Sequence, residues 1–126
     1  KLELFDVSDM SSPQSVDIFT LDTYYTAAAY DHHALTLLAQ SDGLSTRIAL
    51  SLIADSCSQN SLQLAEIDYA SADIIDRGVL LPTTAADNYS IGYERSVLAD
   101  DAVFYIYGNQ LQSNSWFEGQ SASDCP

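Results

Sequence analysis

The sequence predicts an all-β fold built from short antiparallel strands. Apolar residues occur in short runs that either alternate with polar residues or are wholly apolar, and these runs are rich in β-branched and aromatic side chains. Residues that favour turns separate the runs. The predicted strands are Leu2–Val7, Val16–Leu21, Ala34–Ala39, Arg47–Ile53, Leu62–Tyr69 and Val97–Leu98, the last leading into Ala102–Tyr107.

The connecting segments carry the chemistry of tight turns. Asp9–Pro13, Gln40–Gly43 and Gly108–Asn109 offer the Asp, Asn and Gly residues that hairpin turns favour. Thr23–Tyr30 predicts a short helical turn, and Ser71–Gly92 predicts a long connector or loop. Most of the chain is therefore expected to form hairpins.

Length and composition indicate one globular domain over residues 1–126. A chain of 126 residues with 47% hydrophobic and 17% charged residues lies in the range of folded domains. No apolar run approaches the roughly 20 residues of a membrane-spanning helix, so we expect no membrane insertion in this segment. The first residues already follow a strand pattern and contain no signal peptide, which suggests a processed or excised piece.

The charge balance is strongly acidic. Asp and Glu number 18 against four Lys and Arg, which gives a net charge of −14. Phosphate backbones and anionic headgroups would be repelled, so nucleic acid and membrane-surface binding are disfavoured. A basic partner or divalent cations would be attracted, although high charge also serves simply to keep a protein soluble in a salty medium.

Cys57 and Cys125 form a widely separated pair without the spacing of a zinc or redox motif. The simplest interpretation is a disulfide, which would stabilise the fold by roughly 3 to 5 kcal/mol in the chain-entropy model. Two free thiols are the alternative. Because stable disulfides form in oxidising compartments, the pair favours a secreted, periplasmic or cell-envelope location.

Asp31, His32 and His33 form the most chemically suggestive triplet. In an extended strand the two His side chains point to opposite faces, so at most one shares a face with Asp31. A metal site here, for Ca²⁺ or Zn²⁺, would need further ligands from distant segments. The alternative is a structural role in which the His and Asp side chains hydrogen-bond turns together.

A second acidic group is the pair Asp100 and Asp101. Carboxylate oxygens are the ligands that Ca²⁺ prefers, so calcium is a possible cofactor, although no segment matches a calcium-binding loop. The alternative is the tip of a hairpin between Leu98 and Val103. Further carboxylates that could contribute are Asp55, Asp73, Asp76 and Asp87.

Four aromatic residues near the C-terminus suggest a binding surface. Trp116 and Phe117, near Tyr105 and Tyr107, could form an exposed platform for carbohydrate or protein contacts. Packing in the core is the alternative. No motif of a hydrolase, metalloprotease or phosphate-binding loop is present, so no catalytic residue is proposed and a non-enzymatic role is expected.

Two segments of the chain echo one another. Asp31–Leu35 and Glu94–Leu98 each place an acidic residue and two polar ones before an apolar strand, and each is followed by a hairpin. The spacing of 63 residues exceeds that of common propeller blades, and a long inserted loop would account for the excess.

Three segments resemble the secreted bacterial β-propeller family, in particular its C-terminal domain. Leu2–Val16 resembles a strand, a Phe-Asp-Val-Ser-Asp motif, a turn and a second strand, with Met10 in place of the first turn proline. Tyr30–Leu35 looks like the Tyr-Asp-His start of a blade, and Arg95–Tyr105 looks like a strand pair near the C-terminus.

The resemblance implies blades of four antiparallel strands: the outer strands of one blade, a complete blade, and the inner strands of another. A closed propeller needs more blades than 126 residues supply, so sheet edges are left to cover. We expect a C-terminal fragment of a longer protein that covers its edges by self-association, with a small sandwich or barrel as the alternative fold. The expected function is an extracytoplasmic protein-interaction or structural module, and the alternatives are a metal-dependent enzyme or a carbohydrate-binding domain.

Overall fold

The computed structural model describes residues 1–21, 23, 25–53, 60–82 and 94–120. These residues form an all-β fold of three antiparallel sheets joined by turns and three short 3-10 helices, as the sequence predicts. The strands are β1 Leu2–Asp6, β2 Gln14–Phe19, β3 Tyr25–Thr26, β4 Leu35–Ala39, β5 Ser45–Ile53, β6 Ser61–Asp68, β7 Asp73–Leu80, β8 Arg95–Ala99, β9 Ala102–Tyr107 and β10 Gln110–Ser115. The 3-10 helices are Ala27–Ala29, His32–Ala34 and Trp116–Glu118.

The three sheets match the expected division into partial and complete blades. The N-terminal hairpin is β1–β2, the central sheet contains β3 to β7, and the C-terminal sheet has the order β10-β9-β8. Within the central sheet β4, β5, β6 and β7 form a four-stranded antiparallel unit. Both β3 and β4 pair with the edge of β5 opposite β6, and β3 pairs with the C-terminal end of β5.

The predicted hairpin turns are confirmed. Asp9 Oδ1 accepts hydrogen bonds from Ser11 N at 2.9 Å and Ser11 Oγ at 2.6 Å in the first turn. Gly43 has a φ of 71° in the turn between β4 and β5, where the left-handed conformation favours glycine. Gly108 and Asn109 form a two-residue turn, because Tyr107 and Gln110 are paired.

The central sheet is buried on both faces. One face packs against the C-terminal sheet and forms the larger core cluster, which we call the C-terminal seam. The opposite face packs Leu50 and Leu52 against Leu21, Leu2 and Phe19 of the N-terminal segment. Burial on both faces explains why apolar residues occur consecutively in β5, at Ile48–Leu50 and Leu52–Ile53. The C-terminal seam contains Ala49, Leu62, Leu64, Leu80, Leu98, Val103, Tyr105, Tyr107 and Trp116.

Four points of the local prediction need correction. Asp73–Leu80 is a strand rather than part of a long connector, and Gln110–Ser115 is a further strand that the sequence did not indicate. Thr23–Tyr30 contains the short strand β3 as well as the expected helical turn, Ala27–Ala29. His32 and His33 lie in a 3-10 helix rather than an extended strand. Their side chains therefore do not point to opposite faces, and their ring centroids are 4.0 Å apart.

Candidate functional site

The triplet Asp31, His32 and His33 is brought together by a helix cap. Asp31 precedes the 3-10 helix His32–Ala34, and its Oδ1 accepts a hydrogen bond from His33 N at 2.9 Å. The same oxygen lies 2.9 Å from His33 Nδ1. One ligand atom from each of the three residues falls within 4.8 Å of the others. The spacing alone would allow these atoms to share a metal ion.

The partners of Asp31 favour the structural role over the metal site. Its second oxygen, Oδ2, accepts a hydrogen bond from Arg95 Nη2. The hydrogen bonds from His33, with a contribution from the charge of Arg95, hold the pKa of Asp31 below its usual range. Both oxygens of Asp31 are therefore engaged, and a metal ion would have to displace an arginine. Metal binding at this triplet stays a prediction that these contacts do not favour.

Asp100 and Asp101 occupy the tip of the hairpin between β8 and β9. Asp100 has a φ of 48°, a left-handed conformation that Asp tolerates in turns. The buried Arg47 donates from Nη1 to Asp100 O at 2.5 Å and lies 2.9 Å from Asp101 Oδ1. Asp101 O also accepts from Trp116 N at 2.8 Å. The pair therefore anchors a buried guanidinium and the segment after β10.

The two acidic groups do not form a shared site in the described part of the chain. Among the described residues, Asp31, His32 and His33 group closely enough to share a metal ion, and Asp100 and Asp101 do not belong to that group. Asp73 and Asp76 lie on β7. Asp55 and Asp87 lie outside the described residues.

The prediction of an exposed aromatic platform is wrong for three of its four residues. Trp116, Tyr105 and Tyr107 are 1%, 0% and 6% exposed, because their rings fill the C-terminal seam. Phe117, in contrast, is 73% exposed. The Arg47 guanidinium carbon lies 4.9 Å from the Trp116 ring centroid and 5.7 Å from that of Phe117, so a cation stacks beside both rings.

Phe117 borders a surface cleft of about 340 Å³. Asp76 Oδ1 on its wall accepts hydrogen bonds from Gln63 Nε2 at 2.8 Å and Gly78 N at 2.7 Å. Arg77 forms an ion pair with Glu66, with its Nη2 2.7 Å from Glu66 Oε2. The cleft thus combines one exposed aromatic ring with an acidic and a basic group. Its lining residues are Asp76, Arg77, Gly78, Trp116, Phe117 and Gly119.

The N-terminal hairpin and its turn expose apolar side chains that sequence reasoning did not single out. Phe5, Val7, Val16 and Ile18 are 49%, 51%, 43% and 51% exposed. Residues of the same hairpin such as Phe19 pack against the central sheet. The alternation in Val16–Leu21 could have identified this outward surface, since a strand with one buried face presents its other side chains to solvent.

The predicted disulfide involves residues that the structure does not describe. Cys57 and Cys125 lie outside the described residues, so the disulfide and the compartment inferred from it remain predictions.

The described part of the chain has no helix long and apolar enough to cross a membrane. Comparison with curated proteins gave no match, and comparison with solved structures gave none. A family model described as Beta propeller domain matches residues 1–118. This match agrees with the four-stranded unit at the centre of the fold and with the two partial units beside it. The chain therefore belongs to the beta propeller domain family.

Proposed function

We propose that this chain is a non-enzymatic structural and protein-interaction module that acts outside the cytoplasm. The observation that carries the proposal is the exposure of four apolar side chains on the N-terminal hairpin and its turn, those of Phe5, Val7, Val16 and Ile18. Clustered apolar side chains at a protein surface are typical of interaction sites. A two-stranded hairpin is also marginal by itself, so a protein that covers its outer side would stabilise it.

The partner is another β-sheet surface, from a different chain or a second copy. Apolar sheet faces pack on one another, as the C-terminal sheet packs on the central sheet. The net charge of −14 opposes close approach of two copies, which makes self-association dependent on salt. The Cys57 and Cys125 pair supports the extracytoplasmic location.

The experiment compares two substitutions of exposed apolar residues. Ile18→Asp places a charge in the apolar surface of the hairpin, and Leu44→Asp places one in the turn between β4 and β5, where Leu44 is 64% exposed. Sedimentation velocity at rising protein concentration and salt measures self-association, and retention of extracellular proteins on immobilised chain measures other partners. We expect Ile18→Asp to lose binding and Leu44→Asp to keep it. A wild-type chain that stays monomeric and retains no protein contradicts the proposal.

A second candidate function is recognition of a small polar ligand, such as a carbohydrate, at the Phe117 cleft. The favouring observation is the ring of Phe117, 73% exposed beside Asp76 and Arg77 in a cleft of about 340 Å³. An aromatic surface with a few polar groups is typical of such sites. Trp116 is the single tryptophan of the chain and lines the cleft, so its fluorescence reports binding.

For this second function we expect a glycan that binds to change Trp116 fluorescence in the wild type. Phe117→Ala should abolish the change, and Leu111→Ala, at an exposed position on β10, should leave it intact. Flat titrations across a panel of neutral and acidic glycans would remove this candidate.

A further inference from the structure

The C-terminal seam contains polar groups that are buried without partners. Among the described residues, Arg47 Nε and three oxygens, Ser51 Oγ, Glu94 Oε2 and Tyr105 Oη, are buried and have no hydrogen-bond partner. Ser51 and Tyr105 are 0% exposed and Glu94 is 1% exposed. Each unsatisfied group of this kind costs free energy, so native proteins usually satisfy it with water or an ion.

Two of these groups lie on one face of the C-terminal sheet. Glu94 is two residues before Ser96, and Ser96 pairs with Tyr105 across β8 and β9. Alternation along a strand places Glu94, Ser96 and Tyr105 on the face that points into the seam. Two hydrogen bonds cross the seam from this face. Thr36 Oγ1 donates to Ser96 O at 2.8 Å, and Asn60 Nδ2 donates to Glu94 Oε1 at 2.6 Å.

Ser51 faces the same region from the central sheet. Ser51 follows Ala49 by two residues on β5, and Ala49 pairs with Thr36. Ser51 itself pairs with Leu62, which follows Asn60 by two residues. Ser51 therefore lies between the two hydrogen bonds that cross the seam. The strand register therefore places Ser51, Glu94 and Tyr105 on the two sheet faces that meet in the seam.

The charges around Glu94 do not neutralise it. Burial raises the pKa of Glu94, and the hydrogen bond from Asn60 and the charge of Arg95 offset this only in part. Among the described residues, Arg95 is the cation whose charge lowers the pKa of Glu94. Its guanidinium already donates hydrogen bonds to Glu94 O, at 2.7 Å, and to Asp31 Oδ2. Burial, followed by the charge of Glu94 and then Tyr107, raises the pKa of Tyr105, which keeps its hydroxyl protonated as a donor.

We propose that Glu94, Tyr105 and Ser51 enclose an internal site that binds water and a proton, so that the seam between the two sheets is stronger in acid. The proton resides on Glu94 Oε2. The water accepts hydrogen bonds from Tyr105 Oη and from the protonated Glu94 Oε2, and it donates one to Ser51 Oγ. This site is separate from the apolar surface of the N-terminal hairpin and does not depend on the proposed function.

The direction of the pH effect follows from the linkage between proton binding and folding. A carboxyl whose pKa is raised on folding contributes stability that is fully present below its unfolded pKa. That contribution is lost as the pH rises through the folded pKa, because the buried charge then has no counter-ion. The four glutamates of the chain can be followed individually by carboxyl ¹³C NMR of the intact wild-type protein.

Two other glutamates serve as internal references in that titration. Hydrogen bonds from Lys1 and Ser15 lower the pKa of Glu3. Partial burial of Glu66 acts to raise its pKa, but hydrogen bonds from Ser45 and Arg77 outweigh it and the pKa is lowered. We expect Glu94 to titrate above both references. A Glu94 carboxyl that titrates at or below them overturns the proposal.

Two variants separate the site from ordinary packing. Glu94→Gln keeps the shape but cannot ionise, so its stability advantage over the wild type in urea unfolding should grow as the pH rises and vanish in acid. Glu3→Gln, at a half-buried position on β1, is the control, and its difference from the wild type should change with pH in the opposite direction. An advantage of Glu94→Gln that does not vary with pH overturns the proposal.

Tyr105→Phe removes the donor to the bound water and leaves the ring in place. Without that water the protonated Glu94 Oε2 loses its hydrogen-bond acceptor, so the Glu94 pKa should fall in this variant. A crystal structure of the wild type should show a water within hydrogen-bond distance of Tyr105 Oη and Ser51 Oγ. A Glu94 pKa that is unchanged in Tyr105→Phe, or a dry site in the crystal, overturns the proposal.

Discussion

Arg95 Nη2 donates a hydrogen bond to Asp31 Oδ2 and joins two residues that are 64 positions apart in the sequence. Asp31 caps the 3-10 helix that leads into β4, and Arg95 begins β8. The hydrogen bond from Thr36 to Ser96 joins the same two strands further along. The two segments that echo one another in the sequence therefore lie side by side, at the junction between the central and C-terminal sheets.

The cap and the ion pair of Asp31 can be separated by substitution. Asp31→Ala removes both and should lower the free energy of unfolding more than Asp31→Asn, because Asn is also a good N-cap residue but carries no charge. Arg95→Gln removes the ion pair together with the hydrogen bond from Arg95 Nη1 to Glu94 O, so it should destabilise the protein at least as much as Asp31→Asn. Urea unfolding at low salt measures the order. Equal stability of the Ala and Asn variants contradicts the capping role.

The strands that sequence analysis identified are those with a strong apolar pattern. Ser45–Ile53 and Ser61–Asp68 are buried across much of their length and were predicted within a few residues. Gln110–Ser115 was missed because Leu111 is its one apolar residue, and a polar edge strand has no hydrophobic signature. Asp73–Leu80 was missed because Asp76, Arg77 and Gly78 interrupt its pattern, beside a β-bulge in its pairing with β6.

The candidate sites show the same limit. The sequence indicated that Asp31 and its two histidines could act together, but the partner that decides their role, Arg95, comes from another sheet. An acidic residue at a strand start is expected in solvent, so the burial of Glu94 could not be predicted either. Both depend on the packing of β4 against β8, which no local pattern encodes.

Gly119 permits a close backbone approach between the C-terminal segment and β7. A Cβ on Gly119 would lie 1.8 Å from Arg77 O, so Gly119→Ala should separate the two segments and break the bridge between Val79 and Gln120. We expect a loss of at least ~3 kcal/mol, the upper end of overpacking effects.

Gly43→Ala is the matched control for Gly119. A Cβ on Gly43 would meet no atom of the described residues within 4 Å, and the φ of +71° should cost the variant only about 1–2 kcal/mol. Thermal and urea unfolding measure both variants. A Gly119→Ala protein as stable as Gly43→Ala contradicts the close approach.

Leu64 tests the energetic importance of the C-terminal seam. It is 0% exposed within the core cluster, so Leu64→Ala should lower the free energy of unfolding by ~2–5 kcal/mol. Leu111→Ala makes the same chemical change at a position that is 69% exposed and should alter stability by no more than about 0.5 kcal/mol. Similar losses in the two variants would contradict the assignment of the core to this seam.

Asp68 gives a pH dependence opposite in sign to that of Glu94. Its Oδ1 accepts hydrogen bonds from Ser71 N at 3.1 Å and Ala70 N at 2.8 Å, and these bonds lower the pKa of Asp68. A lowered folded pKa gives stability that is present above the unfolded pKa and is lost as the pH falls through the folded value. The wild type should therefore exceed Asp68→Asn in stability at about pH 6, and the difference should disappear at about pH 2.

Asp100→Asn is the control for this effect, since it removes one negative charge from a turn position that Asn also tolerates. Its side chain accepts no backbone N–H in the described part of the chain, so Asp100→Asn removes a charge without removing such hydrogen bonds. Urea unfolding at several pH values compares the three proteins. If Asp68→Asn and Asp100→Asn respond alike to pH, the effect comes from net charge rather than from the hydrogen bonds that Asp68 accepts, because both variants change the total charge by the same amount.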